Sequence, residues 1–355
     1  MLQTSMEDIL FLLSRHFYYK PLDLRKILEE LGAKEAMEAP KDAFLKIGVS
    51  GKALDEFIKS RNQEIIKSKD SEEIKALTIF DKNYPAALKN IYDSPPILFY
   101  RGDLNCLNEK CLAVVGSRKA SDYGRRATEF FTRDLAPYFT IVSGLAYGID
   151  SLAHEAALKN SGKAVAILGS GLDDKSIYPK SNLFLAKKII ESGGLLLSEI
   201  PPGLGPQKFH FPMRNRIIAG LSKGVLIIEA GEKSGTLITA KLGLENGNDI
   251  FAVPNNIFHP NAAGVNFLIK YGAHIATSAE DILSFYGIET KTAKKEYAPK
   301  NNAEKIILEN LTAGEKHINE LQSLTNMPIA DLIGTLTDLE MAKAIKNIKG
   351  KYARI

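Results

Sequence analysis

Cysteine is nearly absent from these 355 residues: Cys106 and Cys111 are the only two. Neither has a His or a third Cys nearby to complete a zinc site, so both read as free thiols in a reducing cytoplasm. No apolar run approaches the ~20 residues that a membrane helix needs. Glu7, Asp8 and Arg15 interrupt the apolar pattern where a signal peptide would be continuous. A cytoplasmic protein without membrane attachment is the expectation. The phosphate signatures of nucleotide enzymes are missing as well. No GxxxxGKS or GxxxxGKT occurs, Gly116-Ser117-Arg118-Lys119 is not GxGxxG, and Gly169-Ser170-Gly171-Leu172-Asp173-Asp174 lacks the third glycine. There is no GxSxG nucleophile turn. Neither a metal nor a nucleotide cofactor is expected. The net charge of +4 is too small to imply a polyanionic partner by itself, so the local distribution of charge has to carry that argument.

That distribution is uneven. No acidic residue lies between Lys208 and Ser222, a stretch holding Phe211-Pro212, Arg214, Asn215 and Arg216. The apolar run Val225–Ile228 follows and reads as a buried parallel strand. It ends in Glu229-Ala230-Gly231, and Ser234-Gly235-Thr236 opens the next helix, where free backbone N–H groups favour an anion. The stretch builds an anion-binding crevice, with phosphate as its expected ligand.

Taken along the chain, strands are predicted at 97–100, 112–115, 140–142, 164–168, 195–197, 225–228, 250–253 and 273–276. Helices are predicted between them at 123–136, 151–161, 182–192, 215–221, 237–246 and 265–271. Such alternation marks a doubly wound, mostly parallel sheet, whose ligands bind outside the carboxyl ends of the strands. Gly116-Ser117-Arg118, Ser143-Gly144, Gly169-Ser170-Gly171 and Glu229-Ala230-Gly231 all follow strands. With Arg118, Lys180, Arg214 and Arg216 they outline a phosphate-binding face. An Arg placed directly after the first strand would crowd a pyrophosphate but suits a sugar-phosphate chain, which it can grip with two prongs. His154 reads as a helix-face residue against the sheet, and His210 is a candidate ligand contact. Glu199 and Glu229 are either paired carboxylates for acid/base or metal chemistry, or structural partners of Arg214, Arg216 or backbone N–H groups. The structural role is favoured.

Flanking segments complete the organisation. Residues 1–75 read as a helical module of the helix-hairpin-helix or sterile-alpha-motif kind, with helices at 6–17, 22–31 and 52–67. Residues 76–286 form the central domain, and the Lys-rich, aperiodic 287–302 is a linker. Residues 303–355 read as three helices and a hairpin around Lys349-Gly350-Lys351, which together make a winged helix. Residues 341–355 carry four Lys and one Arg without an acid, whereas the third helix holds Asp331, Asp338 and Glu340. DNA and protein both stay open as its partner.

The runs Gly116-Ser117-Arg118, Ser143 to Asp150 with His154, Tyr178-Pro179 with Asn182, Ser198-Glu199, Phe211 to Ser222, and Glu229-Ala230 with Ser234 to Ala240 resemble the DNA-processing protein A (DprA, also called Smf) family. The resemblance covers about residues 80–280 and extends more loosely to both flanks. One departure is Asn255 after Ala252-Val253-Pro254, where the family usually has Gly. The resemblance implies an extended Rossmann-like fold that binds single-stranded DNA without catalysis. It implies a homodimer that protects incoming strands in natural transformation and loads RecA recombinase onto them. The family's positive pocket carries over to Gly116, Ser117, Arg118, Arg214, Asn215 and Arg216, with Lys180 as a further basic contact. Phe211, Ser234, Gly235 and Thr236 complete the expected DNA-binding set, and Phe209 and Tyr178 lie beside it. The rival reading is an enzyme like the nucleotide-monophosphate phosphoribohydrolases, with Glu229 catalytic. The PGGxGT turn of those enzymes is absent.

Overall fold

The computed structural model describes residues 5–62, 73–289, 297, 299–312, 314–342, 344–348 and 350–354. The chain divides into two compact units, Met1–Ile288 and Glu289–Ile355.

The first unit is built on a nine-stranded sheet. Its strands are β1 (Lys75–Thr78), β2 (Ile97–Gly102), β3 (Cys111–Val115), β4 (Thr140–Ser143), β5 (Ala164–Ile167), β6 (Leu195–Ser198), β7 (Gly224–Ile227), β8 (Asp249–Ala252) and β9 (His274–Ile275). They lie in the order β1-β2-β6-β5-β4-β3-β7-β8-β9. The run from β6 to β9 is parallel throughout, and β1 and β2 add an antiparallel edge. The doubly wound, mostly parallel sheet expected from the alternation is present, in the Rossmann-like architecture that the resemblance implies. β1, with only Leu77 buried, lacks the continuous apolar run of the inner strands, and it is recognisable only by its pairing with β2.

Side chains alternate across the sheet, so two apolar layers form. Leu112, Val114, Ile141, Leu196 and Leu226 face one layer, together with α7 (Asp122–Leu135), α8 (Ile149–Lys159) and α9 (Leu183–Glu191). Ala113, Val115, Val142, Ile167 and Ile227 face the other, with the short α6 (Ala86–Lys89), α10 (His210–Leu221), α11 (Gly235–Glu245) and α12 (Ala263–Lys270). The amino-terminal helices α1 (Met6–Phe17), α2 (Pro21–Lys26), α3 (Ala33–Glu38), α4 (Lys41–Lys46) and α5 (Lys52–Ser60) join the first layer. Phe11 of α1 packs on Phe99 of β2 with ring centroids 5.2 Å apart. These helices therefore share a core with the sheet. The helix expected at 52–67 is α5, and 63–67 lie outside the described residues. The short α3 and α4, separated by Pro40, left no periodic signal long enough to read. Cys106 and Cys111 are buried free thiols whose pKa burial pushes up to about 12.

The decisive difference from the sequence reading is the start of α10. A helix was expected only from Asn215, but it begins at His210 and runs through Pro212. Pro212 is third in the helix, where its missing N–H has no intrahelical partner to lose.

The second unit holds Asn302–Leu311, Ile318–Thr325 and Ile329–Met341 as helices, and the strands Lys316–His317, Ile345–Ile348 and Lys351–Arg354. The last two form the expected hairpin, and Lys316–His317 pairs with Lys351–Arg354 as an additional strand. Lys343 and Lys349, part of the basic run read in the sequence, lie outside the described residues. A separate core of Ile307, Leu308, Leu321, Leu332, Leu336 and Leu339 holds the unit together.

Candidate nucleic-acid interface

The sheet order reverses between β3 and β7. The chain leaves β3 toward α7 on one layer and leaves β7 toward α11 on the other, so a crevice opens outside their carboxyl ends. It has a volume of about 750 Å³. Its walls are the loop Gly116–Lys119, the first turns of α10 and α11, Tyr178 and Asn261. Five of the lining side chains are cationic: Arg118, Lys119, Lys208, Arg214 and Lys233. Asp150 is the single carboxylate among them and is buried. A concave, low-dielectric wall of one sign focuses potential on an anion.

Helical geometry explains which residues of the acid-free stretch arrive here. Phe211, Arg214, Asn215 and Ile218 all line the crevice, at the i, i+3, i+4, i+7 spacing of one helix face. Arg214 and Arg216, two residues apart, point about 200° from one another around the axis. Arg216 consequently leaves the crevice. Its Nη2 lies 2.6 Å from Glu199 Oε2 and its Nε 3.4 Å from Asp93 Oδ2, with all but 9% of its side chain buried. Read as a linear pair the two arginines look equivalent; once α10 is wound, one is a crevice residue and the other is core.

Arg118 is exposed, and its guanidinium sits over the Phe211 ring, 5.0 Å from the centroid. Neither carboxylate proposed as a structural partner holds it. Glu199 is paired with Arg216, and Glu229 accepts from the backbone N–H of Ser121 at 3.0 Å and from the Ser121 hydroxyl. Asn261 and Asn255 also reach Glu229, at 3.4 and 3.5 Å. The unusual Asn255 thus helps to latch the loop that opens α7.

Arg214 is only 4% exposed. Its Nη1 donates to the carbonyls of Gly144 and Ile167, tying together the ends of β4 and β5. Gly144 makes room for it, because a Cβ there would lie 2.1 Å from Nη1. Burial lowers the Arg214 pKa to about 10, against the pull of Asp150. Burial raises the Asp150 carboxyl, which Arg214 partly offsets. Arg214 therefore forms the charged floor of the crevice.

Around this floor, Gly116 is required because a Cβ would lie 2.6 Å from Ile149. The Ser117 hydroxyl accepts the Lys119 N–H at 3.1 Å, shaping the loop that carries Arg118. Asn215 bridges the starts of α10 and α11 through Gly235 O at 3.4 Å. Ser234 caps α11 by accepting the Thr236 N–H at 3.2 Å. Lys180 does not line the crevice; its ammonium donates to Lys175 O at 2.7 Å. His210 turns away from it, with Nδ1 3.2 Å from Gly169 O and Nε2 3.3 Å from the Tyr18 hydroxyl of the amino-terminal region. Lys119, Lys208 and Lys233 escaped the sequence reading. Only Lys208 had a signal, as the first residue of the acid-free stretch.

His154 packs behind the floor on α8, fully buried, with no hydrogen-bond partner among the described residues for either ring nitrogen. Burial, assisted by Arg214, lowers its pKa from 6.5 to about 3. Between those values the unfolded chain holds one more proton than the folded one. Stability should therefore fall as pH drops from 6.5 toward 3, by about 1.4 kcal/mol per pH unit from this residue. His154→Leu should flatten that dependence relative to the wild type, as read from unfolding free energies at pH 6.5 and 4.5. Parallel curves for the two proteins would contradict it.

A sequence model of the family described as DNA recombination-mediator protein A matches residues 75–287. The chain belongs to that family. The DNA processing protein DprA of Streptococcus pneumoniae is 46% identical over 217 residues, 61% of this chain and 76% of that protein. Protein Smf of Escherichia coli is 38% identical over 282 residues, 77% of this chain and 75% of its own length. The X-ray structure of the pneumococcal DprA superposes with a TM-score of 0.66 at 38% identity, covering 78% of this chain and 96% of that one. The DprA of Helicobacter pylori superposes with a TM-score of 0.54 at 29% identity, covering 60% and 95%. That structure is described as giving insight into its single-stranded DNA binding mode. The matched segment contains the whole crevice of this DNA recombination-mediator protein A family member. No helix among the described residues is long and apolar enough to cross a membrane.

Proposed function

We propose that this protein binds single-stranded DNA in the crevice between β3 and β7, without catalysis. The observation that carries the reading is Arg118, a guanidinium with both exposure and a fixed shelf, at the mouth of a cavity whose other exposed charges are all lysines. A single strand offers phosphates to these cations while its unpaired bases reach aromatic rings. A duplex keeps its bases stacked inside and gains only the charge term. With Arg118, Lys119, Lys208 and Lys233 each meeting a phosphate, the log–log salt dependence should have a slope of about −3. Titrating labelled single- and double-stranded oligonucleotides across a salt series tests this. Equal affinity for both forms, or a slope near zero, would refute it.

The finer reading follows the family description as a recombination mediator. The bound strand is handed to RecA recombinase in the cytoplasm during natural transformation, and a homodimer presents two crevices to one strand, which raises avidity without a new kind of contact. We read the second unit as a winged helix that adds a DNA or protein contact. Faster RecA filament formation on strands coated with single-strand-binding protein, together with a dimer in sedimentation at micromolar concentration, is the expected result.

The rival phosphoribohydrolase needs Glu229 as a free carboxylate, but that side chain is wholly buried and committed to the Ser121 loop. Release of base from AMP by the purified protein would revive it.

A further inference from the structure

We propose that Tyr147 and Tyr178 form a base-stacking step on the rim of the crevice, where the nucleobases of a bound strand rest once its phosphates have engaged the cations. This rests on the single-strand reading above and adds to it the place where the bases go.

Phe211 is the obvious aromatic platform in the sequence, yet it is half-buried and already covered. The Arg118 guanidinium lies over its ring at 5.0 Å, and the Tyr178 ring meets it at 5.8 Å and 55°. It serves as a shelf for Arg118. The rings that remain open are the next two outward. Tyr178 is 41% exposed and lines the crevice, and Tyr147 is 47% exposed and follows Ala146, which also lines it. Their centroids are 6.5 Å apart with planes at 81°. The three rings thus lead from the cationic mouth to the surface. The perpendicular pair makes a corner in which a base lies flat on one ring with its edge toward the other, both favourable arrangements for π-systems.

The corner is held in place from beneath. Asn182 Nδ2 donates to Leu145 O at 2.9 Å, fastening the turn that carries Tyr147 to the segment that carries Tyr178. Two large aromatic side chains exposed side by side, next to a cluster of four exposed cations, match how sequence-tolerant single-strand sites are built.

The test compares an oligothymidylate with an abasic strand of equal length and charge. Wild-type protein should bind the base-bearing strand about 5- to 100-fold more tightly, the range of a stacked base. Tyr147→Ala should lose most of that preference, leave abasic binding unchanged and leave the salt slope unchanged. The chain contains no Trp, so Tyr147→Trp supplies a lone indole; it should keep the preference, and its fluorescence should be quenched by the base-bearing strand only. Equal wild-type binding of the two strands overturns this proposal and leaves the crevice reading standing. So does Tyr147→Ala weakening both strands alike, or an indole that responds to neither. Failure of the wild type to bind either strand overturns both readings.

Discussion

Arg118→Ala should weaken single-strand binding by about ten- to a hundred-fold, since a charge-assisted hydrogen bond contributes roughly 1.5–3 kcal/mol. The guanidinium is exposed over Phe211, with Glu199 and Glu229 both engaged elsewhere. Its loss should cost little folding stability. Removing one phosphate contact should flatten the log–log salt slope by ~0.7. The loss should be the same for every base sequence, because phosphate contacts position a strand and do not read it. Arg118→Lys should recover only part of the affinity, since an ammonium cannot fork across two oxygens or lie flat on the ring. Binding isotherms at several salt concentrations, with a thermal melt on the same preparation, decide the matter. A fall in melting temperature with the salt slope untouched would mean that Arg118 is a structural tie.

The second large effect is expected at the arginine that left the crevice. Glu199→Ala strips Arg216 of its 2.6 Å partner and leaves Asp93, 3.4 Å from Nε, as its remaining carboxylate. Both members of the pair are buried, and Arg216 Nη1 and Glu199 Oε1 already lack partners among the described residues. Breaking such a pair from one side costs about 3–5 kcal/mol, which in a unit of this size lowers the melting temperature on the order of 10 °C. The salt slope for single strands should stay at its wild-type value. Replacing both residues together, Glu199→Met with Arg216→Met, should restore much of the stability, because the desolvation of two charges disappears with them. A melting temperature unchanged by Glu199→Ala would show that the pair is not buried in solution. A changed salt slope would return Arg216 to the strand.

The contrast between these two arginines shows what was legible in the sequence. Strand–helix alternation and small residues after four of the strands located the crevice, because those signals are local and repeat along the chain. Arg118 was readable since it lies in the loop just past the carboxyl end of β3, where such sheets open their ligand crevice. Arg216 was not, because its direction depends on whether Pro212 lies before a helix or inside its first turn. Lys119 and Lys233 sit among ordinary polar loop residues, and only the folding of two distant loops toward the same crevice distinguishes them. Tyr147 stood in a run quoted for the family resemblance, without any cue that its ring meets Tyr178, thirty-one positions later. His210 was a candidate ligand contact from its aromatic neighbours. Its actual partner, Tyr18, lies at the far end of the chain and leaves no mark in the local pattern.

Arg214 has a consequence for how fast strands come and go. With its guanidinium bound to the ends of β4 and β5, where Gly144 leaves room for it, the floor of the crevice is shaped by the protein's own contacts. The entropy of ordering then falls on the flexible strand and not on the protein. Capture should be governed by long-range attraction and slow steeply with added salt, as encounter rates between opposite charges do. Differences between one strand and another should instead appear in residence time, which a rigid floor leaves to the groups at the rim.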